Sequence, residues 1–449
     1  MTGHLTHSEE ELRAWAAFAV ERAGLLGAEA SVTTRTTYSG RVFVANGAVE
    51  TAERDLQQSL GISVYCEGRS AGASTAALNR ESVVRVVEEA LLIARQVQPD
   101  ADSELPPADW LALSGPAPAR YAEGGADTDE LLAAALAIDC AARERAAADP
   151  ALRISESAAI GSEGIWALAT SRGFCRSSHF SSHHRWCKMM ASTENGSVSD
   201  FEQTQDRRFS ALAGPDILAA RAAERTLAAR GARGVASRRC PVLFDPSVAS
   251  QLVGELVVAL NGMAQYRRST FLPDPLDRAI AADHIDLYED PFEPFGLASG
   301  GFDSDGIAGS ARLLIEGGIG RGLLLSAMAA RKLGLRSTGN AEGPYNLRLS
   351  SRTAGGDRAA MLTRLGTGVL VTSLQGGGTD PVTGNWTRAI SGFWVEDGEV
   401  AHALRDVTLA GSLGEMMMGM VAVGDDVERH GAVRTGSILV GEMQLGGKA

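Results

Sequence analysis

The sequence predicts an α+β protein of two domains. Residues 1–235 read as an N-terminal helix/hairpin domain, and residues 236–449 as a C-terminal glycine-rich, mainly antiparallel β domain with helices. Three observations carry this. Helices and strands come in blocks, not in regular βαβ alternation, which disfavours a doubly wound sheet. Tight-turn pairs such as Asn46-Gly47 separate strand-like runs, as hairpins require. At Cys240-Pro241 the chain starts a new pattern, just after a helix that ends near Gly231 and Gly234.

Each element has a local reason. Ser8 and Glu11 fit a capping box, in which each residue satisfies a free backbone N–H of the other's turn. Leu12, Trp15, Ala16, Ala19 and Ala23 extend that start as an apolar stripe. Strands follow at 32–38, 41–44, 60–66 and 71–75, with turns at Asn46-Gly47 and Glu67-Gly68-Arg69. Val83, Val86, Val87, Ala90, Leu91 and Ala94 form one side of a helix at 80–97. Pro99, Pro106, Pro107, Pro116 and Pro118 mark 98–126 as a linker or long crossing loop. An alanine-rich helix spans 128–148, strands occupy 152–210, and a helix covers 215–230. In the second half a short strand at 242–244 leads into a helix at 246–261. A hairpin pairs 311–316 with 321–325 around Gly317-Gly318 and enters a helix at 326–333. Later strands are expected at 345–350, 367–375, 388–396, 399–409 and 436–445.

Composition narrows the function. Apolar residues make up 45% of the 449 and charged residues 22%, which excludes global disorder. The net charge of −13 opposes phosphate backbones, so direct nucleic-acid coating is disfavoured. No apolar run is long enough for a membrane helix, and the start lacks the features of a secretory signal. Cys66, Cys140, Cys175, Cys187 and Cys240 form no CxxC pair and cannot all pair, which reads as reduced, cytoplasmic thiols.

Several segments invite chemistry. Cys175, His179, His183, His184 and Cys187 are the densest set of zinc-type side chains. Their serine-rich surroundings read as a half-exposed strand. Along a strand, His179 and His183 would lie about 13 Å apart, too far for one ion unless a hairpin bends between them. No G-x-S-x-G elbow exists, and the glycines 317–322 read as a hairpin turn, not a phosphate loop. The run from Gly376 to Trp386 has three consecutive glycines, which permit very close backbone approach. It is either a groove-lining loop or an ordinary connection. Gly254 sits mid-helix at a cost of about 1 kcal/mol against alanine, and close packing there is the simplest reason.

The second half carries a series of motifs in order. Phe244-Asp245-Pro246, Phe302-Asp303-Ser304-Asp305-Gly306, Leu314-Ile315-Glu316-Gly317-Gly318 and Ala329-Ala330-Arg331-Lys332-Leu333-Gly334 come first. Ser337-Thr338-Gly339-Asn340-Ala341, Asp380-Pro381-Val382-Thr383-Gly384 and Ser391-Gly392-Phe393-Trp394-Val395-Glu396-Asp397-Gly398-Glu399 complete it. This series resembles the TldD/PmbA family, specifically its PmbA branch, also called TldE, over nearly the whole chain.

The resemblance implies cytoplasmic metallopeptidases that act on unfolded or flexible peptides; members were also labelled modulators of DNA gyrase. It implies a TldD-type subunit that carries zinc on a His-Glu-x-x-x-His helix plus a C-terminal cysteine. There the histidines hold the metal, the glutamate is the general base and the metal polarises the scissile carbonyl. A PmbA/TldE-type subunit shares the fold, lacks those residues and helps to enclose the partner's site. Laying the metal helix on 254–259 puts Gly254 and Ala259 where histidines belong, with Glu255 alone matching. The tail from Val423 has no cysteine, and His430 is a single imidazole there. The expectation is therefore a non-catalytic subunit that binds no metal itself, with zinc in a TldD-type partner of a heterodimer. A homodimer is the alternative assembly. Gly376, Gly377, Gly378, Asp380, Thr383, Asn385 and Asn340 are the expected peptide-groove residues. The alternatives are a self-sufficient metal hydrolase built on Cys175, His179, His183 and Cys187, and a regulatory binding protein of the gyrase-modulator type.

Overall fold

The computed structural model describes residues 4–194, 196–428 and 431–448. Helix α1 (Glu9–Leu25) starts at the expected capping box, with Ser8 Oγ accepting from Glu11 N–H and the Glu11 carboxylate accepting from Ser8 N–H. Strands β1 (Glu29–Ala45), β2 (Ala48–Cys66) and β3 (Arg69–Thr75) form a meander. Its turns fall at Asn46-Gly47 and Glu67-Gly68, all four residues having positive φ. Helices α2 (Arg80–Ala94) and α3 (Thr128–Ala148) precede β4 (Leu152–Thr170), β5 (Cys175–Thr193) and β6 (Gly196–Asp206), and α4 (Pro215–Ala228) closes the half. The six strands form one antiparallel sheet in the order β3-β2-β1-β4-β5-β6. One face is packed by helices: Ala16, Ala19, Val83 and Leu91 against Val32 and Leu60, and Ile138 and Leu218 against Ile154 and Met189.

The strands are longer than the sequence pattern suggests. Residues 48–59 show no apolar alternation because almost all are exposed, yet they pair with β1 with a single register shift, between Phe43 and Val44. The expected break between 38 and 41 does not occur. Gly40 is there because α3 packs close: a Cβ would sit 2.7 Å from Leu131 Cδ1.

The proline-rich segment 98–126 is a crossing loop with a single 3-10 turn at Ala108–Trp110. It ties the two halves together. Ala112 N–H donates to Gly306 O (2.8 Å), Phe295 N–H to Ala119 O (2.7 Å), and Lys332 pairs with Asp102 (2.7 Å).

Beyond α4 come β7 (Arg238–Phe244), α5 (Pro246–Val258), α6 (Gly262–Arg267), β8 (Ile285–Asp290), β9 (Arg312–Glu316), β10 (Ile319–Gly320) and α7 (Ala327–Leu333). Then follow β11 (Asn346–Ser351), α8 (Arg358–Leu365), β12 (Gly368–Thr379), β13 (Asn385–Glu396), β14 (Glu399–Ala403) and β15 (Val407–Ser412). The last elements are α9 (Leu413–Met418), β16 (Met420–Val423), β17 (Val433–Arg434) and β18 (Ile438–Gly446). One sheet runs β12-β7-β18-β15-β13-β14, and a further β12–β13 pairing closes five of these strands into a ring. The other runs β10-β9-β8-β11-β17. The core between them includes Val242, Phe244, Leu252, Leu256, Val371, Trp386 and Leu409. No helix among the described residues is long and apolar enough to cross a membrane.

Four expectations need correction here. The return strand of the 317–318 hairpin is Ile319–Gly320, not 321–325, because Gly320 is pressed against the 275 loop, where a Cβ would meet Pro275 O at 2.3 Å. The run 399–409 is two strands, broken at Asp406 with φ 54°. Helix α5 stops at Val258, because Asn261 caps the separate helix α6. The glycines 376–378 belong to strand β12 and are not a free loop.

Candidate functional site

Asp245 caps α5 and Pro246 occupies its first turn, a position where the missing N–H costs nothing. The helix buries Val248, Leu252, Val253, Leu256 and Val257. Its outer side carries Gln251, Gly254, Glu255 and Val258. Opposite lies the β12–β13 hairpin. Arg388 Nη2 on β13 donates to Glu255 Oε1, and Thr379 Oγ1 on β12 donates to Glu255 Oε2. Arg388 Nη1 also donates to Gly376 O and Gly377 O, both at 3.2 Å. A cavity of about 340 Å³ opens beside this cluster, lined by Glu255, Val258, Ala259, Phe271, Gly378 and Arg388 among others.

The glycines make the arrangement geometrically possible. Gly376 and Gly377 have φ of 50° and 67° and form a bulge, with the register shifting between Gln375 and Gly378. Such a bulge re-aims its strand. A Cβ on Gly377 would lie 2.1 Å from Thr387 O. The helix position and the glycine run, two separate candidates in the sequence, thus form one site. Arg388 and Thr379 were not singled out from sequence. The available signal was the strand period, which sets Arg388 two residues from core Trp386 and on its face.

Other expected residues are distributed differently. Asp380 Oδ1 accepts the N–H groups of Val382 and Thr383, which hold its carboxyl below the usual range. Thr383 Oγ1 accepts Asn385 N–H. These three shape the exposed hairpin tip. Asn340 lies apart and is 3% exposed. It donates to Glu289 Oε1 (2.8 Å) and Gly343 O (3.0 Å) and accepts from Arg312 (2.9 Å). It serves an internal polar network and offers no groove surface. Gly254 is not a close-packing residue, since a Cβ there would meet nothing within 4 Å.

Residues 237–447 match the PmbA/TldA metallopeptidase C-terminal domain, and residues 31–94 match PmbA/TldA metallopeptidase domain 1. A metalloprotease PmbA homolog of Haemophilus influenzae is 33% identical over 447 residues, covering 99% of this chain and 98% of its own. The chain belongs to the PmbA/TldD metallopeptidase family. Metalloprotease PmbA of Escherichia coli O157:H7 is 36% identical over 427 residues, covering 94% and 92%. The fold is shared with TldE from Thermococcus kodakarensis (TM-score 0.82, 19% identity, 96% and 100% covered). It is also shared with a proposed DNA gyrase modulator from Bacteroides thetaiotaomicron (TM-score 0.89, 22% identity, 97% and 99% covered).

For a PmbA/TldD chain the question is whether zinc fits. At α5 it does not: the residues offered are Gly254 and Ala259, which have no donor side chain, and Glu255, whose two oxygens are engaged by Arg388 and Thr379. The histidine-rich segment offers no substitute. β5 is one unbroken strand paired with β4, so no bend gathers its ligands. His179 stacks on Tyr121 at 3.6 Å, His183 Nδ1 meets Gly125 O at 3.1 Å, and His184 Nε2 meets Gln203 at 3.0 Å. Burial pushes all three imidazole pKa values down and the Cys187 thiol up to about 12. Cys175 is exposed at the strand's start. Among the described residues no three His, Cys, Asp or Glu side chains converge to hold a metal. His430 lies outside the described residues.

Proposed function

We propose that this chain is the non-catalytic, PmbA/TldE-type subunit of a cytoplasmic zinc metallopeptidase complex. A TldD-type partner supplies the metal, and this subunit helps to enclose the site and guide unfolded peptides to it. The observation that carries this reading is the Glu255–Arg388–Thr379 cluster. A general base must lie within hydrogen-bond reach of the water it activates, and here both Glu255 oxygens are turned to the chain's own hairpin, one to Arg388 and one to Thr379. The residue that would be the base in a zinc helix acts here as a structural clasp.

The edges of the sheets support the guiding role. β7 pairs with β12 at residues 369–371 alone, so β12 beyond Val371 is bonded to β13 on one side only. β6 is likewise an edge strand. Between β6 and α5 lies a cavity of about 310 Å³ that includes Gln203, Gln205, Gln251 and Ser373. Open edges capture extended peptides through backbone hydrogen bonds with little side-chain selectivity.

The test is to mix the purified chain with a TldD-type subunit and follow cleavage of an unfolded peptide. The mixture should cleave the peptide and the chain alone should not. A mixture no faster than the partner alone would remove the subunit role. Metal analysis of the chain purified by itself is expected to find under about a tenth of an equivalent of zinc, since structural zinc binding needs about four ligands.

A further inference from the structure

A third cavity, of about 520 Å³, lies where the helix-free face of the six-stranded sheet meets the loops at 297–304 and 339–345. Strand alternation builds its floor: Arg35 from β1, Trp166 from β4, Phe180 and Ser182 from β5 and Gln205 from β6. The crossing loop adds Arg120, and Arg207 follows β6. Its volume lies within the usual range for small-ligand sites, roughly 300–1,000 Å³.

The three arginines differ. Arg207 is 4% exposed and is consumed by the protein. It donates to Gly296 O (2.8 Å), Leu297 O (2.5 Å) and Ser181 O (3.1 Å), and burial pushes its pKa down to about 10. Arg35 and Arg120 are not consumed. Their guanidinium groups lie 5.2 and 5.8 Å from the centroid of the same Phe180 ring. Arg35 spends only Nε, on Thr37 (2.9 Å), and Arg120 spends Nη1, on Ser178 (2.8 Å). Arg120 Nε is buried with no acceptor. Neither arginine forms an ion pair among the described residues, although two like charges on one ring repel.

The acids nearby do not neutralise them. Asp303 is 2% exposed, and its carboxylate is filled by the N–H groups of Asp305, Ile307 and Ala341. Glu342, on the exposed lip, is the acid that acts most strongly on Arg120 but makes no ion pair with it. Of the two arginines, Arg120 is the desolvated one, its pKa lowered first by burial; a cation there without an ion pair is costly, and the cost is recovered when a ligand brings an anion. Gln205 lines this cavity and also the one between β6 and α5, so an extended chain can run along the β6 edge and end here.

We propose that this cavity receives the C-terminal carboxylate of an extended peptide, with Arg35 and Arg120 as its two donors. The proposal rests on the peptide-guiding reading above. Arginine forks suit carboxylates geometrically, and Trp166 and Phe180 give the last side chain an apolar surface.

The test uses the full chain and one fluorescent unfolded peptide in two forms, the free acid and the C-terminal amide, with inorganic phosphate as a third probe. The acid is expected to bind at least about tenfold more tightly than the amide, as loss of a charge-assisted pair implies. Arg35→Gln and Arg120→Gln should each shrink that difference by weakening acid binding more than amide binding, and Glu342→Gln should strengthen acid binding. Should Arg120→Gln not fold, Arg35→Gln on the exposed floor decides alone. Equal binding of acid and amide would overturn the carboxylate site and leave the peptide groove standing. Phosphate binding through these arginines without a preference for the acid would make this an inorganic-anion site and overturn the proposal. Failure of both peptides to bind would overturn the proposal and the groove together.

Discussion

Replacing Arg388 with methionine strips the Glu255 carboxylate of its one cation among the described residues while keeping most of the side-chain volume. The two side chains are 18% and 20% exposed, so the pair is about four-fifths buried. Breaking a fully buried pair costs about 3–5 kcal/mol, whereas an exposed one is worth about 0.2–1 kcal/mol. At this burial, with Thr379 still donating, Arg388→Met should lower unfolding stability by roughly 2–3 kcal/mol. Glu255→Gln should cost less, about 1–2 kcal/mol, because Arg388 keeps two glycine carbonyls and Thr379 keeps an acceptor. The double variant should lose clearly less than the sum, giving a coupling of about 1–2 kcal/mol. Urea unfolding of all four proteins measures this, provided the slope with denaturant stays constant. Additive losses, or single losses within about 0.5 kcal/mol, would show the pair to be an ordinary surface contact and remove the clasp from the functional argument.

Gly377→Ala should destabilise the hairpin by more than about 2 kcal/mol, seen as a lower melting temperature, because its Cβ would lie 2.1 Å from Thr387 O at positive φ; an unchanged melting temperature would contradict the bulge geometry. Thiol labelling of the native protein, read by mass spectrometry, should modify exposed Cys140 and Cys175 first. Cys187 and Cys240, buried with thiol pKa values pushed up to about 12 and about 11, should react only after unfolding. Asp303 provides a pH test: burial first, then the charge of Asp305, raise its carboxyl from 3.8 to about 7. A raised acid holds its proton more tightly in the folded state, so its contribution erodes stability as pH climbs from about 4 to about 7, by about 4 kcal/mol at most, and then levels off. The urea midpoint of the wild type measured against Asp303→Asn should fall across that window. A flat or rising difference would place the carboxyl in a more polar setting.

Much of the architecture follows from local rules. The Ser8–Glu11 box, the Asn46-Gly47 turn and the span of α3 were legible because caps, turns and apolar periods act over a few residues. Residues 48–59 were not, because a strand exposed on both faces leaves no hydrophobic alternation and is held by its ladder to β1. The short helices α6, α8 and α9 escaped because one or two turns are too brief to display a period. By itself the sequence established two things at the site: the motif series with its family kinship, and a helix whose positions 254 and 259 have no ligating atom. Only the tertiary structure decided what Glu255 touches, because Thr379 and Arg388 stand 124 and 133 positions away along the chain. It likewise decided that Asn340 is internal and that Arg35 and Arg120 share one aromatic ring. The physical reason is range: capping and periodicity are written between neighbours, whereas ion pairs and cavities arise where packing joins strands and loops that the chain order keeps apart.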